Sequence, residues 1–186
     1  MVVRHGVPSD ALLLSAIARH TFFDTFAGTN DPGDMALHLE RAYGVDQQAA
    51  ELADPLIVTL LVEANGPALS EPERPRRSSE LNGEVIGYAQ LREGDVPGCV
   101  TGPRPIELWR FYLRREWHGQ GLAEPLMARV RAEAAARGAA TLWLGVWDRN
   151  HRAQAFYRKC GFVEVGDHVF LFGTDPQRDL VMATTL

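Results

Sequence analysis

The sequence predicts an α/β (α+β) domain, with a single mixed, mostly antiparallel twisted sheet and helices on both faces. Three observations predict it. Apolar residues recur at helical spacing in the first quarter of the chain, β-rich runs divided by turn residues follow, and the second half alternates strand, helix, strand, helix, strand. With 186 residues, 46% hydrophobic and 23% charged, residues 1–186 read as one ordinary domain with a sizeable core.

The elements follow in order. Val2–Arg4 is a short first strand, and Ser9-Asp10 prepare an apolar helix over Ala11–Phe26 in which Leu13, Ile17 and Ala18 recur at helical spacing. Gly28-Thr29-Asn30 breaks it. A second helix starts at Asp31-Pro32-Gly33-Asp34, with Asp31 suited to the cap, Pro32 to the first turn and Asp34 to the positive dipole end, and runs to about Tyr43. Leu56–Ala64 is a strand, and Glu84–Arg92 is its partner across a Pro-, Ser-, Glu- and Arg-rich stretch, 66–83, that has little to bury and reads as a mobile loop. A turn over Gly94–Pro105 carries Cys99. Ile106–Leu113 is then a strand, followed by a helix from about Gly119 to Arg137 with Leu122, Leu126, Val130 and Ala134 as its buried stripe and Gly138 as its stop. Pro125 is awkward inside that helix: it requires either a start near Ala123 or a kink. Thr141–Trp147 is a strand, Asn150–Cys160 a short helix closed by Gly161, and Phe162–Val165, Val169–Phe172 and Leu180–Thr184 are the last strands. The strands 106–113 and 141–147, joined by a crossover helix, should be parallel.

Composition narrows the function. The net charge of −5 argues against a nucleic-acid partner and is mildly compatible with a cationic one. No apolar run reaches the ~18 residues that span a membrane. The N-terminus lacks the apolar core of a signal peptide, and two cysteines make no disulfide framework, so a cytoplasmic setting is expected. The histidines and cysteines show no metal-ligand spacing. Gly119-Gln120-Gly121 lacks the third glycine of a dinucleotide fingerprint, Glu124 standing there, and no phosphate-loop Gly-Lys-Ser/Thr occurs.

Two blocks carry chemistry. In Glu107–Ala123, a strand runs through a turn into a glycine-rich helix start, where free N–H groups and the helix dipole suit an anion. The second block is Asn150–Phe162. Together they resemble the GNAT superfamily of acyl-CoA N-acyltransferases. That family's pyrophosphate signature, Gln/Arg-x-x-Gly-x-Gly/Ala, stands here as Glu116-Trp117-His118-Gly119-Gln120-Gly121, with Glu116 departing from the usual first residue. The family's second pattern is matched in full by Asn150, Ala153, Phe156, Tyr157, Gly161 and Phe162. Within the family, Thr21–Phe26 with Asn30-Asp31, Leu142–Trp147, and Gly166–Gly173 with Asp179–Met182 resemble the bacterial spermine/spermidine acetyltransferases of the PaiA type.

The resemblance implies acetyl-CoA as co-substrate and a small-molecule primary amine, a polyamine first, as acceptor. Tyr157 is implied as the acid that protonates the CoA sulfur, and Glu107 as the base, directly or through water. Phe111, Tyr112 and Leu113 are expected along the pantetheine arm, on a strand that the family splays from its parallel neighbour. His118, Gly119, Gln120, Gly121, Leu122 and Ala123 are expected around the pyrophosphate, with Asn150, Ala153, Phe156 and Lys159 completing the cofactor site and Arg114 and Arg115 adding charge. Asp24, Asp31 and His168 are expected toward the acceptor, with Asp34 and Asp179 as further candidates. The chemistry is demanding because a primary alkylamine with a pKa of ~10.4 is neutral in only about one molecule per thousand at pH 7. A non-catalytic acyl-CoA sensor and a protein or peptide acetyltransferase remain as alternatives, and the exposed sheet edges would suit a homodimer.

Overall fold

The computed structural model describes residues 1–64 and 83–186. The loop expected at 66–83 therefore lies, up to residue 82, outside the described residues. The elements are β1 (Val2–His5), α1 (Ala11–Phe26), α2 (Pro32–Tyr43), α3 (Val45–Ala53), β2 (Ile57–Glu63), β3 (Val85–Arg92), β4 (Pro105–Leu113), α4 (Ala123–Ala136), β5 (Thr141–Trp147), α5 (His151–Lys159), β6 (Val163–Phe172) and β7 (Asp175–Thr185).

The strands form one seven-stranded sheet in the order β1-β2-β3-β4-β5-β7-β6. Every pairing is antiparallel except β4 with β5, as a crossover through α4 requires. Alternation along the strands divides the core. Leu60 and Val62 of β2 pack on one face with Leu126, Met127, Val130 and Ala134 of α4 and with Tyr157 of α5. Leu61, one residue away, joins Tyr88, Leu14, Ile17, Ala18 and Phe22 of α1, and Met35, Leu39 and Tyr43 of α2 on the other face. Helices thus cover both faces. Leu126 is fully buried, and its truncation to Ala would cost about 2–5 kcal/mol.

Three expectations need correction. The first concerns α3, absent from the sequence reading. Val45–Ala53 follows Gly44 closely and is rich in Gln, Ala, Glu and Leu, all good helix formers. It carries the buried Glu51, whose carboxylate meets the buried Arg110 at 2.5 Å. Nη1 of Arg110 also donates to Oε1 of Gln90, and the Gln90 amide donates to Glu51 and Thr59. This network fastens α3 to β2, β3 and β4.

The second concerns α4, which begins at Ala123 and not near Gly119. Gly119 and Gly121 have φ of +77° and +75°, incompatible with a right-handed helix, and form the turn before it. Pro125 then falls in the first turn, where an N–H has no intrahelical acceptor to lose, so no kink is needed. The third concerns the last strands, which are two and not three. A bulge between Glu164 and Gly166 absorbs the irregular segment and keeps β6 continuous. β7 starts at Asp175, its Pro176 tolerated because residues 175–178 pair with β6 but not with β5.

Candidate active site

The parallel pairing of β4 and β5 covers only Pro105↔Thr141, Ile106↔Leu142 and Glu107↔Trp143. Beyond it the strands splay, while β4 stays paired with β3 as far as Leu113. A bulge at Trp109 sits at the start of the splay, where Gln90 faces Arg110 and Leu91 faces Leu108. Backbone groups of Leu108–Leu113 that point away from β3 consequently face a cleft and not a strand.

Two cavities open from this cleft. One, of about 590 Å³, runs along Phe111, Tyr112 and Leu113 to the turn at His118, Gly119, Gly121, Leu122 and Ala123. Among the described residues, no backbone carbonyl accepts from the N–H groups of Gly119, Gln120, Gly121 or Leu122. With the α4 dipole behind them they form an anion cradle. His118 is held on both ring nitrogens: Nε2 donates to the Leu113 carbonyl at 2.8 Å, leaving Nδ1 to accept from Arg152 at 2.8 Å. Arg152, which the sequence reading did not single out, is thereby drawn to the cradle alongside Arg115.

The second cavity, of about 460 Å³, lies between α1, α2 and the strands β4 to β7. Its walls are aromatic, with Phe22, Phe26, Tyr43, Trp109, Trp147, Phe170 and Phe172 among them, and its charged groups include Glu107, Asp179, Arg92 and Arg110. Phe111, Tyr112, Asn150, Ala153 and Tyr157 line both cavities, so the two meet at the α5 start and the splayed strand.

Tyr157 stands at that junction, largely buried, with its ring edge-on to Phe111 and Phe162. Desolvation pushes its phenol well above the ordinary range, so it holds its proton at neutral pH. Asn150 caps α5, its Oδ1 accepting from the Ala153 N–H at 3.2 Å, and this cap sets the end of the helix that presents Tyr157.

Glu107 is buried at the foot of the splay. Both Nε and Nη2 of Arg92 donate to its Oε2, at 2.9 and 2.6 Å. Burial raises its pKa, and Arg92 opposes the rise. The guanidinium groups of Arg92 and Arg110 both stack over the Trp109 ring, 4.1 and 3.8 Å from its centre. His38 packs against Phe22 and Phe172, and burial first, then Arg110, lowers its pKa to about 4, so it is neutral at physiological pH. His168 and Asp179 face each other across Gly145, 4.0 Å apart, and burial shifts the histidine down and the aspartate up, to about 7.

The remaining expected residues are placed as follows. Phe156 lines the first cavity, whereas Gln120 and Lys159 line neither. Gln120 donates to the Glu116 carbonyl, and Lys159 is ion-paired with Glu124. Arg114 is paired with Glu84. Asp24 lines the cofactor-side cavity, with His20 at 3.3 Å, and does not line the acceptor-side one. Asp31 lines neither cavity, its Oδ1 accepting from the N–H groups of Gly33 and Asp34 as an α2 cap. Asp34 accepts from the N–H and Oγ1 of Thr174, tying α2 to the β6–β7 turn. Besides Arg152, the sequence reading overlooked Glu51, Arg92 and Arg110. Arg92 and Arg110 flank Trp109 on strands already recognised, but nothing in their spacing shows which arginine is buried.

Comparison with known proteins agrees with this geometry. The model of the acetyltransferase (GNAT) family matches residues 47–162. An uncharacterized N-acetyltransferase of Lactobacillus delbrueckii subsp. lactis is 32% identical over 171 residues, 92% of this chain and 89% of that protein. An uncharacterized N-acetyltransferase of Mycobacterium bovis is 40% identical over 118 residues, 63% of this chain and 71% of its own length. Among solved structures, PaiA N-acetyltransferase of Thermoplasma acidophilum in complex with coenzyme A is alike in fold, with a TM-score of 0.66 and 18% identity over 100% of both chains. The chain belongs to the GNAT acetyltransferase family and is an acetyl-CoA-dependent N-acetyltransferase.

Proposed function

We propose that the acceptor is a primary amine of a small cationic molecule, with polyamines the first candidates, and that it attacks acetyl-CoA directly in a ternary complex. The observation that carries this is the meeting of the two cavities. A cradle of free N–H groups suited to a pyrophosphate opens, through the residues around Tyr157, into a second, aromatic-walled chamber that holds two carboxylates.

Each step has a group to serve it. Acetyl-CoA lies with its phosphates against Gly119–Ala123 and its pantetheine along Phe111–Leu113, where an unpaired strand N–H polarises the thioester carbonyl and stabilises the oxyanion. The amine enters the aromatic cavity, whose rings suit an alkylammonium. A carboxylate of that cavity takes one proton from the ammonium. The neutral nitrogen attacks the carbonyl carbon, the C–S bond breaks, and the Tyr157 hydroxyl supplies a proton to the departing thiolate, recovering one as the nitrogen becomes an amide. Among the described residues that line the chamber, Arg92 and Arg110 are committed to Glu107 and Glu51, which leaves the Asp179 carboxylate without a compensating cation and supports a cationic acceptor. The likeness in fold to a PaiA enzyme supports the scaffold on which such an activity is built.

The test is acetyl-CoA-dependent thiol release with spermidine, spermine, amino acids, aminoglycosides and lysine peptides offered in parallel. Turnover on the polyamines in preference to the others is expected. Turnover confined to another amine would discard the polyamine and keep the transfer. No turnover on any amine, with acetyl-CoA still bound, would discard the catalytic reading in favour of an acyl-CoA sensor.

A further inference from the structure

The chamber holds two carboxylates, and their surroundings differ. Glu107 is engaged by Arg92 through two hydrogen bonds to one oxygen. That engagement opposes the rise that burial imposes on the Glu107 pKa and occupies the oxygen that would take a proton. Asp179 has no such partner. Its side chain is 15% exposed, and among the described residues no cation lies within ion-pair distance except the weakly basic His168, at the 4.0 Å limit. Both shifts run against an ion pair, since burial disfavours the charged form of each. Asp148, just beyond the end of β5, is an influence of like sign that pushes the Asp179 proton affinity further up.

Geometry aims this carboxylate at the chemistry. Asp179 pairs across the sheet with Trp147 on one side and His168 on the other, beside the splay from which β4 has departed. Its Oδ2 approaches the bare Cα of Gly145 so closely that a Cβ there would stand 3.4 Å away, and 3.0 Å from Nε2 of His168. Gly145 thus keeps open the space in which the pair faces the cavity. His168 is half-exposed, and it leads from the buried carboxylate toward solvent.

We propose that Asp179 is the proton acceptor for the substrate ammonium, with the half-exposed His168 marking its side toward solvent and Glu107, locked to Arg92, positioning the cavity wall. This rests on the acetyl-transfer reading and assigns its base. The balance closes: R–NH₃⁺ gives one proton to Asp179, which releases it to solvent on the His168 side, and the second proton lost as the C–N bond forms replaces the one Tyr157 gives to the thiolate. The products are the N-acetyl amine, CoA thiol and one proton. The other titratable or charged groups facing this space are Glu107, Arg92, Arg110, Tyr112 and Tyr157 from β4, β3 and α5, and His38 and Tyr43 from α2. Of these, His38 is neutral above about pH 4, the phenols of Tyr43, Tyr112 and Tyr157 are raised by burial, and Glu107 is raised by burial but against Arg92, while Asp179, with no such cation, is raised to about 7.

The experiment is the pH profile of kcat and kcat/KM for Asp179→Asn, Asp179→Glu and Glu107→Gln, on whichever amine of the panel the wild type acetylates. The wild type is expected to show an acid limb with an apparent pKa near 7. Asp179→Asn should lose roughly 10²–10⁴-fold in kcat at pH 7 and recover about tenfold per pH unit toward the amine's own pKa, as free amine replaces the missing base. Asp179→Glu should keep the limb at reduced kcat, which decides the matter if the Asn variant does not fold. Glu107→Gln should keep the limb. The proposal is overturned if Asp179→Asn stays within threefold of the wild type at pH 7, if it raises only the KM for the amine, or if Glu107→Gln and not Asp179→Asn abolishes the limb. An inactive wild type would overturn the acetyl-transfer reading itself, an outcome distinct from an active enzyme indifferent to Asp179.

Discussion

The two cavities that meet at Tyr157 are built on different plans. The cofactor cleft comes mainly from contiguous chain, the end of β4, the turn at 118–121, the start of α4 and one face of α5. Backbone N–H groups and left-handed glycines dominate it. The acceptor cavity draws on positions from Phe22 to Asp179, on three helices and five strands, and side chains dominate it. The family model follows the same division: its match over 47–162 spans most of the cleft but leaves out Phe22, Phe26, His38, Tyr43, His168, Phe170, Phe172 and Asp179 of the acceptor cavity. The comparison teaches that a ligand shared by a family can be held by local backbone geometry, while a ligand that varies is held by side chains the fold brings from afar.

Substitutions can break or sharpen that contrast. The largest expected effect is on the scaffold common to both cavities. Glu51→Ala leaves the Arg110 guanidinium buried without its carboxylate, which should cost about 3–5 kcal/mol and lower the melting temperature by roughly 10 °C. A variant as stable as wild type would show that Gln90 alone suffices. Tyr157→Phe, at the junction, should reduce kcat by about 10²-fold or more with little change in KM for either substrate, measured by thiol release.

Two glycines then separate the cavities, because each is needed for a different reason. Gly121 has open space where a Cβ would stand, so Gly121→Ala is opposed only by its φ of +75°, at about 1–2 kcal/mol. The KM for acetyl-CoA should rise roughly tenfold, with the amine KM unchanged. Gly145 has ordinary dihedrals but a crowded Cβ direction. Gly145→Ala should raise the amine KM by about threefold, within the cost of a displaced side chain, and leave acetyl-CoA binding alone. A crossed result, with either variant acting on the other substrate, would break the division between the two cavities.

A further effect is one of stability, and its sign is informative. Asp179 has a folded-state pKa raised from 3.8 to about 7, so its contribution is fully present below about pH 4 and is lost as pH rises through 7. Asp179→Asn should therefore melt above wild type at pH 8 and converge with it below pH 4. Wild type melting higher at pH 8 would mean that the carboxylate has a stabilising partner.

Legibility in the sequence follows the same contrast. Gly119, Gly121 and the Asn150–Phe162 run stand close together in the chain, so their spacing carries their geometry, and the parallel pairing of β4 and β5 followed from the crossover rule. A glycine turn and a helix N-terminus share residue preferences, so Gly119 reads as the helix start, and it is Pro125 that points to the start at Ala123 that the structure has. β6 looked interrupted at Gly166 because a bulge leaves the same composition as a break. The acceptor cavity was least legible: Asp31 and Asp34 carry acidic charge at positions where capping and tethering already use it, while Glu51 and Arg110 are 59 residues apart and meet only through the fold.

The most direct measurement is a crystal structure with a bisubstrate conjugate in which spermidine is joined through an acetyl bridge to the sulfur of CoA. The pyrophosphate is expected against the N–H groups of Gly119–Ala123, the bridge beside the Tyr157 hydroxyl, and the polyamine among Trp147, Phe172 and Asp179. A conjugate whose CoA occupies the cradle while its polyamine leaves through solvent, away from the aromatic cavity, would contradict the assignment of that cavity to the acceptor.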